Sequence, residues 1–298
     1  MNTLTRRSFL KQTATLGLGA ALTQRWAVAT ARAAQPAQAD IRFGLVTYQW
    51  GRDLDLPTLL KHCADAGLLG VELRTTHAHG VEPSLTAAQR AEVKKRFADS
   101  PVALIGLGTA EEFHSPDPKV LEQAIEATKA FIKLSHDVGG TGVKVRPNAL
   151  PKEVPQQKTI EQIGKALNTV AAFGADYGQQ LRMEVHGGCA RLPIMKQIMD
   201  VATHPNATVC WNSNDSDQEP PGLEHNFNLV KDRLGRVTHV RELDTPGYDW
   251  QMLARLFVRA GYRGWWLLEA GSKPPADRVA AFVRQRELFE QLMARARA

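Results

Sequence analysis

Residues 181–188, LRMEVHGG, read as a buried strand that closes on a glutamate and a histidine two positions apart and then stops at paired glycines. A strand covered on both faces of a parallel sheet is normally apolar, so charge confined to its C-terminal end needs a reason. Side chains two apart share a face, so Glu184 and His186 point together. The same signature recurs along the chain. Short β-branched runs at 41–47, 70–74, 102–107, 142–146, 181–186, 208–211, 237–241 and 265–269 make eight candidate strands. Their ends carry Glu72 and Arg74, Lys144 and Arg146, Asn212 and Asn214, His239 and Arg241, and Glu269.

Amphipathic patterns lie between these runs. Leu56, Leu59, Leu60 and Cys63 are spaced i, i+3, i+4, i+7, and Leu223, Phe227, Val230 and Leu234 are spaced i, i+4, i+7, i+11. Val279, Phe282, Val283, Phe289 and Leu292 form the last pattern, an eighth helix. Strands alternating with helices make parallel βαβ units. Eight of them in about 260 residues fit a single α/β domain, a (β/α)8 TIM barrel, over residues 40–298. A doubly wound sheet is the alternative, but no Gly-rich phosphate loop follows the first strand, whose end reads Val46-Thr47-Tyr48-Gln49-Trp50. In a TIM barrel the site gathers where strands end and βα loops begin, so the polar strand ends should converge on one mouth.

The chain's start is read separately. Thr5-Arg6-Arg7-Ser8-Phe9-Leu10-Lys11 precedes a small, weakly apolar run and Ala-x-Ala sites such as Ala31-Arg32-Ala33, the pattern of a twin-arginine export signal. Residues 1–39 are expected to be signal and short linker, cleaved between about Ala29 and Ala39. The mature protein is then expected in the periplasm or outside the cell, and the twin-arginine route suits cargo that folds around a cofactor before export.

That segment holds five of the 37 Lys and Arg and none of the 31 Asp and Glu, which leaves 32 cations against 31 anions. The excess of positive charge therefore belongs to the signal and points to no nucleic-acid partner. No later apolar run is long enough to span a bilayer, so no membrane partner is expected after cleavage. Cys63, Cys189 and Cys210 are odd in number and lack metal-type spacing, so they read as small core residues, neither a disulfide framework nor nucleophiles.

Parity places Glu184, Asn212, His239 and Glu269 on four consecutive strands facing the barrel axis. Two carboxylates alone in so confined a place would repel until one took a proton. A divalent cation removes that conflict. Carboxylate oxygens, an amide oxygen and an imidazole nitrogen suit one Mn²⁺, Co²⁺, Mg²⁺ or Zn²⁺ ion.

With these residues the sequence resembles the xylose-isomerase-like TIM-barrel superfamily, which includes sugar isomerases, ketose epimerases, inosose dehydratases and apurinic endonucleases. Glu184 in MEVHG, His239 in THVREL and Glu269 in WLLEAG stand where the family places metal ligands. Asn212 in CWNSND stands where the family usually has Asp, with Asp215 three residues on, so either can be the third ligand. The ELRTTHAHG, CWNSN and HVREL blocks resemble exported proteins of the sugar phosphate isomerase/epimerase type. The resemblance implies proton transfer beside a carbonyl through a metal-stabilised enediolate. It also implies that Glu184 and Glu269 are at once ligands and the acid/base pair. His186, Arg241, Lys144 and Arg146 are the residues expected to hold substrate hydroxyls.

His79, in the loop after the second strand, is expected to face substrate. Trp50, Trp211, Trp265 and Trp266 offer faces on which sugars stack, although parity turns Trp266 outward under the helices. The expected function is a metal-dependent sugar isomerase or epimerase with a small carbohydrate substrate. The alternatives are a lyase or dehydratase on 3-keto-glycosides or inososes using the same site, and a non-catalytic carbohydrate-binding barrel. Homo-oligomerisation is left open. An endonuclease would want more histidine ligands, several metals and a basic surface.

Overall fold

Eight strands alternate with eight helices in the computed structural model, which describes residues 39–298. The twin-arginine motif and the run after it lie outside the described residues. The strands are β1 (Asp40–Val46), β2 (Gly70–Arg74), β3 (Ala103–Glu112), β4 (Gly142–Arg146), β5 (Gln180–Glu184), β6 (Ala207–Cys210), β7 (Val237–Val240) and β8 (Arg263–Leu268). The helices are α1 (Leu56–Ala66), α2 (Ala87–Ala98), α3 (Pro118–Val138), α4 (Gln156–Asp176), α5 (Leu192–Val201), α6 (Leu223–Asn228), α7 (Trp250–Arg259) and α8 (Arg278–Arg297). The sheet is parallel throughout, in the order β6-β5-β4-β3-β2-β1-β8-β7. It closes where Gly235 N donates to Val209 O at 2.8 Å and His239 N to Trp211 O at 2.7 Å. This is a single (β/α)8 TIM barrel. Among the described residues no helix is long and apolar enough to cross a membrane.

Local sequence explains the elements. Leu56, Leu59, Leu60 and Cys63 form the buried stripe of α1. Asp55 opens that helix by accepting from Thr58 N at 2.9 Å, and Gly67, at φ 71°, closes it in a conformation an L side chain resists. The period-two rule then sorts the strand residues. One apolar cluster fills the space between sheet and helices and includes Trp211 and Trp266. A smaller one, with Val46, Ile105, Cys210, Val237, Trp265 and Leu267, lies inside the barrel.

Polar side chains share that interior: Glu72, Lys144, Arg182, Glu184 and His239 are all buried. Their length needs space, which β3 supplies. A Cβ on Gly106 would come within 2.6 Å of Arg182 Nη1, and one on Gly108 within 2.8 Å of Glu72 Oε1. Two elements differ from expectation. β3 runs on past Leu107 to Glu112, so that Gly108 joins Gly106 as an inward-facing strand position. The Leu223–Leu234 pattern is not one helix: α6 ends at Asn228 and a 3₁₀ turn, Lys231–Arg233, follows, although Leu223, Phe227 and Val230 are buried as the pattern requires.

Candidate active site

The strand ends converge. Glu184 closes β5, His239 lies in β7, Glu269 follows β8 directly and Asn212 stands two residues past the end of β6. Asn212 Nδ2 donates to Glu184 Oε1 at 2.9 Å and to Glu269 Oε2 at 3.2 Å. His239 Nδ1 lies 3.2 Å from Glu184 Oε1 and 3.6 Å from Glu269 Oε2. Its Nε2 is 3.1 Å from Glu72 Oε1, on the far side of the barrel. Lys144, from β4, sets Nζ 2.8 Å from Glu184 Oε2 and donates to Thr109 O at 3.2 Å. Glu72, Glu184 and His239 are almost wholly enclosed, whereas the Glu269 side chain is 14% exposed. Glu269 is therefore the carboxylate nearest solvent.

Charge follows from this packing. Burial pushes the Glu184 carboxyl up, but Lys144 and His239 outweigh it and hold it well below the ordinary carboxylate range. Burial opposes a charged His239, yet the negative groups around it, Glu72 and Glu269 among them, hold it well above the ordinary histidine value. Each ring nitrogen therefore faces a carboxylate, Nδ1 that of Glu184 and Nε2 that of Glu72.

One carboxylate oxygen each from Glu184 and Glu269 and a ring nitrogen of His239 lie within 4.8 Å of one another. Adjacent donors on one divalent ion, bound at about 2.0–2.2 Å, stand about 3–3.5 Å apart, close to the 3.2 and 3.6 Å found here. Asn212 touches both carboxylates, and its amide turned over presents Oδ1 to the same point. The donor set fits a divalent ion, with the Lys144 ammonium drawing on one of the two carboxylates.

The other expected residues fall at varied distances from this point. His186 lies beside the rim, its Nδ1 2.8 Å from Asn148 Oδ1, and burial pulls its pKa down. Arg241 pairs with Asp215 and stacks over Tyr248, 5.2 Å from the ring centroid. Asp215 is consequently engaged on the outer wall, so Asn212 is the residue of the two that reaches the carboxylates. Arg146 is tied to Glu112 at 2.7 Å and to Ala110 O at 3.1 Å, one layer out. Lys144 meets Glu184 inside the barrel, not a cleft. His79 requires correction: it is only 8% exposed, its Nε2 bonds Arg74 O at 2.8 Å and its Nδ1 accepts from Val81 N at 3.1 Å. Both nitrogens brace the β2–α2 loop, leaving neither for substrate. Trp211 packs against Phe227 and Phe257, and Trp265 stacks under Arg42 at the barrel's other end. Of the four tryptophans only Trp50 borders the rim cleft.

Glu72 was the residue that sequence reasoning noticed at a strand end and gave no role. Its signal was there: in Gly70-Val71-Glu72-Leu73 an acid shares the inward face with a glycine, in a strand too apolar to leave it in water.

A cleft of about 610 Å³ opens beside Asn212 and Glu269, walled by Trp50, Arg241, Glu242 and Arg284. Its charges are already matched. Arg284 pairs with Asp244 at 3.1 Å, Arg241 pairs with Asp215, and Glu242 accepts from Ser272 N at 3.0 Å. A second cavity, of about 720 Å³, lies at the opposite end near Arg42, Arg236 and Trp265 and holds none of the candidate ligands.

A family model described as xylose isomerase-like TIM barrel matches residues 60–292. No curated protein matches the sequence. Among solved structures, L-ribulose 3-epimerase is similar, with a TM-score of 0.73 at 17% identity, covering 88% of this chain and 96% of that one. 3-Keto-D-glucoside 4-epimerase from E. coli gives a TM-score of 0.67 at 12% identity, covering 86% and 100%. The IOLI protein, solved with a zinc atom, gives a TM-score of 0.67 at 12% identity, covering 86% and 97%. At such identities the likeness is one of fold.

Proposed function

The chain belongs to the xylose isomerase-like TIM barrel family, and from that membership and the convergence at its rim we propose that it is a divalent-metal-dependent sugar isomerase or epimerase. The observation that carries this reading is the placement of Glu184 and Glu269 on either side of Asn212, which bonds both. Glu184, His239, Glu269 and the turned-over Asn212 amide would hold the ion. When bound, it would polarise a substrate carbonyl and its neighbouring hydroxyl and so acidify the C–H between them.

The chain's own groups do the rest. One of the two carboxylates takes the proton and the other returns it, a contribution of roughly 10² to 10⁴ in rate for a well-placed base. Lys144 keeps Glu184 ionised, as a base must be. His186 and Arg241 are the residues we assign to substrate hydroxyls, and of the two Arg241 lines the cleft. A cleft whose arginines are already paired favours an uncharged saccharide over a sugar phosphate, since a phosphate would have to break those pairs. Export through the leading segment, part of the same proposal, would bring the protein to such substrates.

Incubation with unphosphorylated ketoses and keto-glycosides in heavy water tests the reading. Solvent deuterium should enter the carbon next to the carbonyl with the skeleton retained. Glu184→Gln and Glu269→Gln should each slow exchange by about a hundredfold or more. Exchange at the wild-type rate in both variants would refute the assignment, and loss of water or an aglycone would move the reaction to elimination. A saccharide that binds without any exchange would instead mean a binding barrel.

A further inference from the structure

Glu72 does not behave as a structural carboxylate. It is fully buried, and a buried carboxylate ordinarily takes the nearest cation. Lys144 and Arg182 share the barrel interior with it, yet neither bonds it. Lys144 goes to Glu184 and Thr109 O, while Arg182 spends its donors on Ile105 O (3.1 Å), Thr141 Oγ1 (2.9 Å) and Gln180 Oε1 (3.2 Å), all uncharged. Among the described residues the one hydrogen bond the Glu72 side chain makes is to His239 Nε2, at 3.1 Å, and its other oxygen, Oε2, has no hydrogen-bond partner there. The fold makes space for this contact. β2 and β7 are separated in the sheet by β1 and β8, so Glu72 reaches across the barrel, and it does so beside Gly108, where any side chain would strike it.

We infer that Glu72 is the positioning residue for His239: by taking the Nε2 hydrogen it fixes the ring plane and commits Nδ1 to the point shared by Glu184 and Glu269. An imidazole has two nitrogens, and the hydrogen bond made by one decides what the other offers. Without an acceptor at Nε2 the ring would leave a buried donor unmatched and be free to turn. A partner of this kind typically governs about 10- to 100-fold in metal affinity. The inference rests on the metal-binding reading only for the use to which Nδ1 is put. The orientation of the ring stands apart from it.

The experiment uses the full chain with Glu72→Leu, which removes the acceptor, and Glu72→Gln, which keeps an acceptor and removes the charge. Affinity for Zn²⁺ and Co²⁺ is read by competition with a chromogenic chelator, alongside the Co²⁺ absorption spectrum and the ring N–H resonances of His239. Glu72→Leu should weaken metal binding about 10- to 100-fold, alter the Co²⁺ spectrum and abolish the protected Nε2–H signal. Glu72→Gln should fall between it and wild type and retain that signal. Wild-type affinity and unchanged ring signals in both variants overturn the inference; if the leucine variant does not fold, the same result in Glu72→Gln alone does so. Should wild type bind no metal, the functional reading fails, and the ring resonances still decide the role of Glu72.

Discussion

Lys144 is the residue whose removal should act in two directions. It is 1% exposed and gives Glu184 its countercharge at 2.8 Å. Lys144→Met keeps most of the volume and deletes the ammonium, leaving a buried carboxylate short of its partner. Breaking such a pair costs about 3–5 kcal/mol, and urea unfolding of the metal-free variant should show a loss of that order. The ammonium also competes with any divalent ion for the same carboxylate, so the variant should bind Mn²⁺ or Zn²⁺ at least about tenfold more tightly, a gain of roughly 1.4 kcal/mol. Destabilisation of that order with no gain in affinity would show that Lys144 does not compete with an ion for Glu184, and no destabilisation would show that it merely fills space. In the sequence Lys144 stands at a strand end, and the substrate contact expected of it came from the family resemblance. What a sequence does not contain is which acid a long side chain meets after crossing to the next strand. Glu72 went unassigned for the same reason: its partner lies 167 residues away across the barrel.

The loops after β6 and β7 form one wall beside the cleft. Tyr248 donates to Asp217 Oδ2 at 2.7 Å, Gln218 Nε2 donates to Gly247 O at 2.8 Å, and Asp249 N returns a bond to Gln218 Oε1 at 2.9 Å. Asp217 is buried, and burial raises its carboxyl from the ordinary 3.8 to about 8. The folded chain therefore keeps a proton that the unfolded chain has lost between pH 3.8 and about 8, and stability contributed at this site falls as pH rises through that window. Asp217→Asn, neutral at every pH, should be more stable than wild type at pH 9 by about 1–3 kcal/mol, with the advantage vanishing towards pH 4. Thermal melts across that range measure it; parallel curves would remove the cause. At this scale much was legible. The bounds of β2 and β4 are those the sequence suggests, because period-two patterns flanked by helical ones leave little choice. β3 and α6 were not: Gly108, a residue type that punctuates loops elsewhere, serves here as an inward strand position, and an i, i+4, i+7 face records burial without guaranteeing a continuous helix.

For the whole barrel, the informative feature is where it closes. Seven of the strand pairings are ladders, two of them, β2–β3 and β3–β4, with a shift of register, whereas β6 meets β7 through isolated bridges, Val209 with Leu234 and Asn212 with His239. The eight-strand rhythm made the barrel readable from sequence, but nothing in the rhythm says which seam is thin. That seam runs through the proposed metal point, since Asn212 stands on one side of it and His239 on the other. An ion held by both, with Glu184 and Glu269 behind them, would bind only the closed barrel and so stabilise it by mass action, about 2.7 kcal/mol at a hundredfold excess over Kd. For a domain of this size that is about 5–10 °C in Tm. Dialysis against a chelator should lower Tm by that amount, and Mn²⁺, Co²⁺ or Zn²⁺ should restore it. Beyond that global gain the response should be uneven: amides of β6 and β7 that exchange by local opening should slow more on loading than those of the β2–β3–β4 side. In Glu184→Gln, which loses one ligand charge, the metal-dependent rise should shrink to less than half. A Tm indifferent to chelator and metal would mean that no ion ties the seam, and local-opening amides of β6 and β7 that gain no more than those of other strands would mean that the ion binds elsewhere.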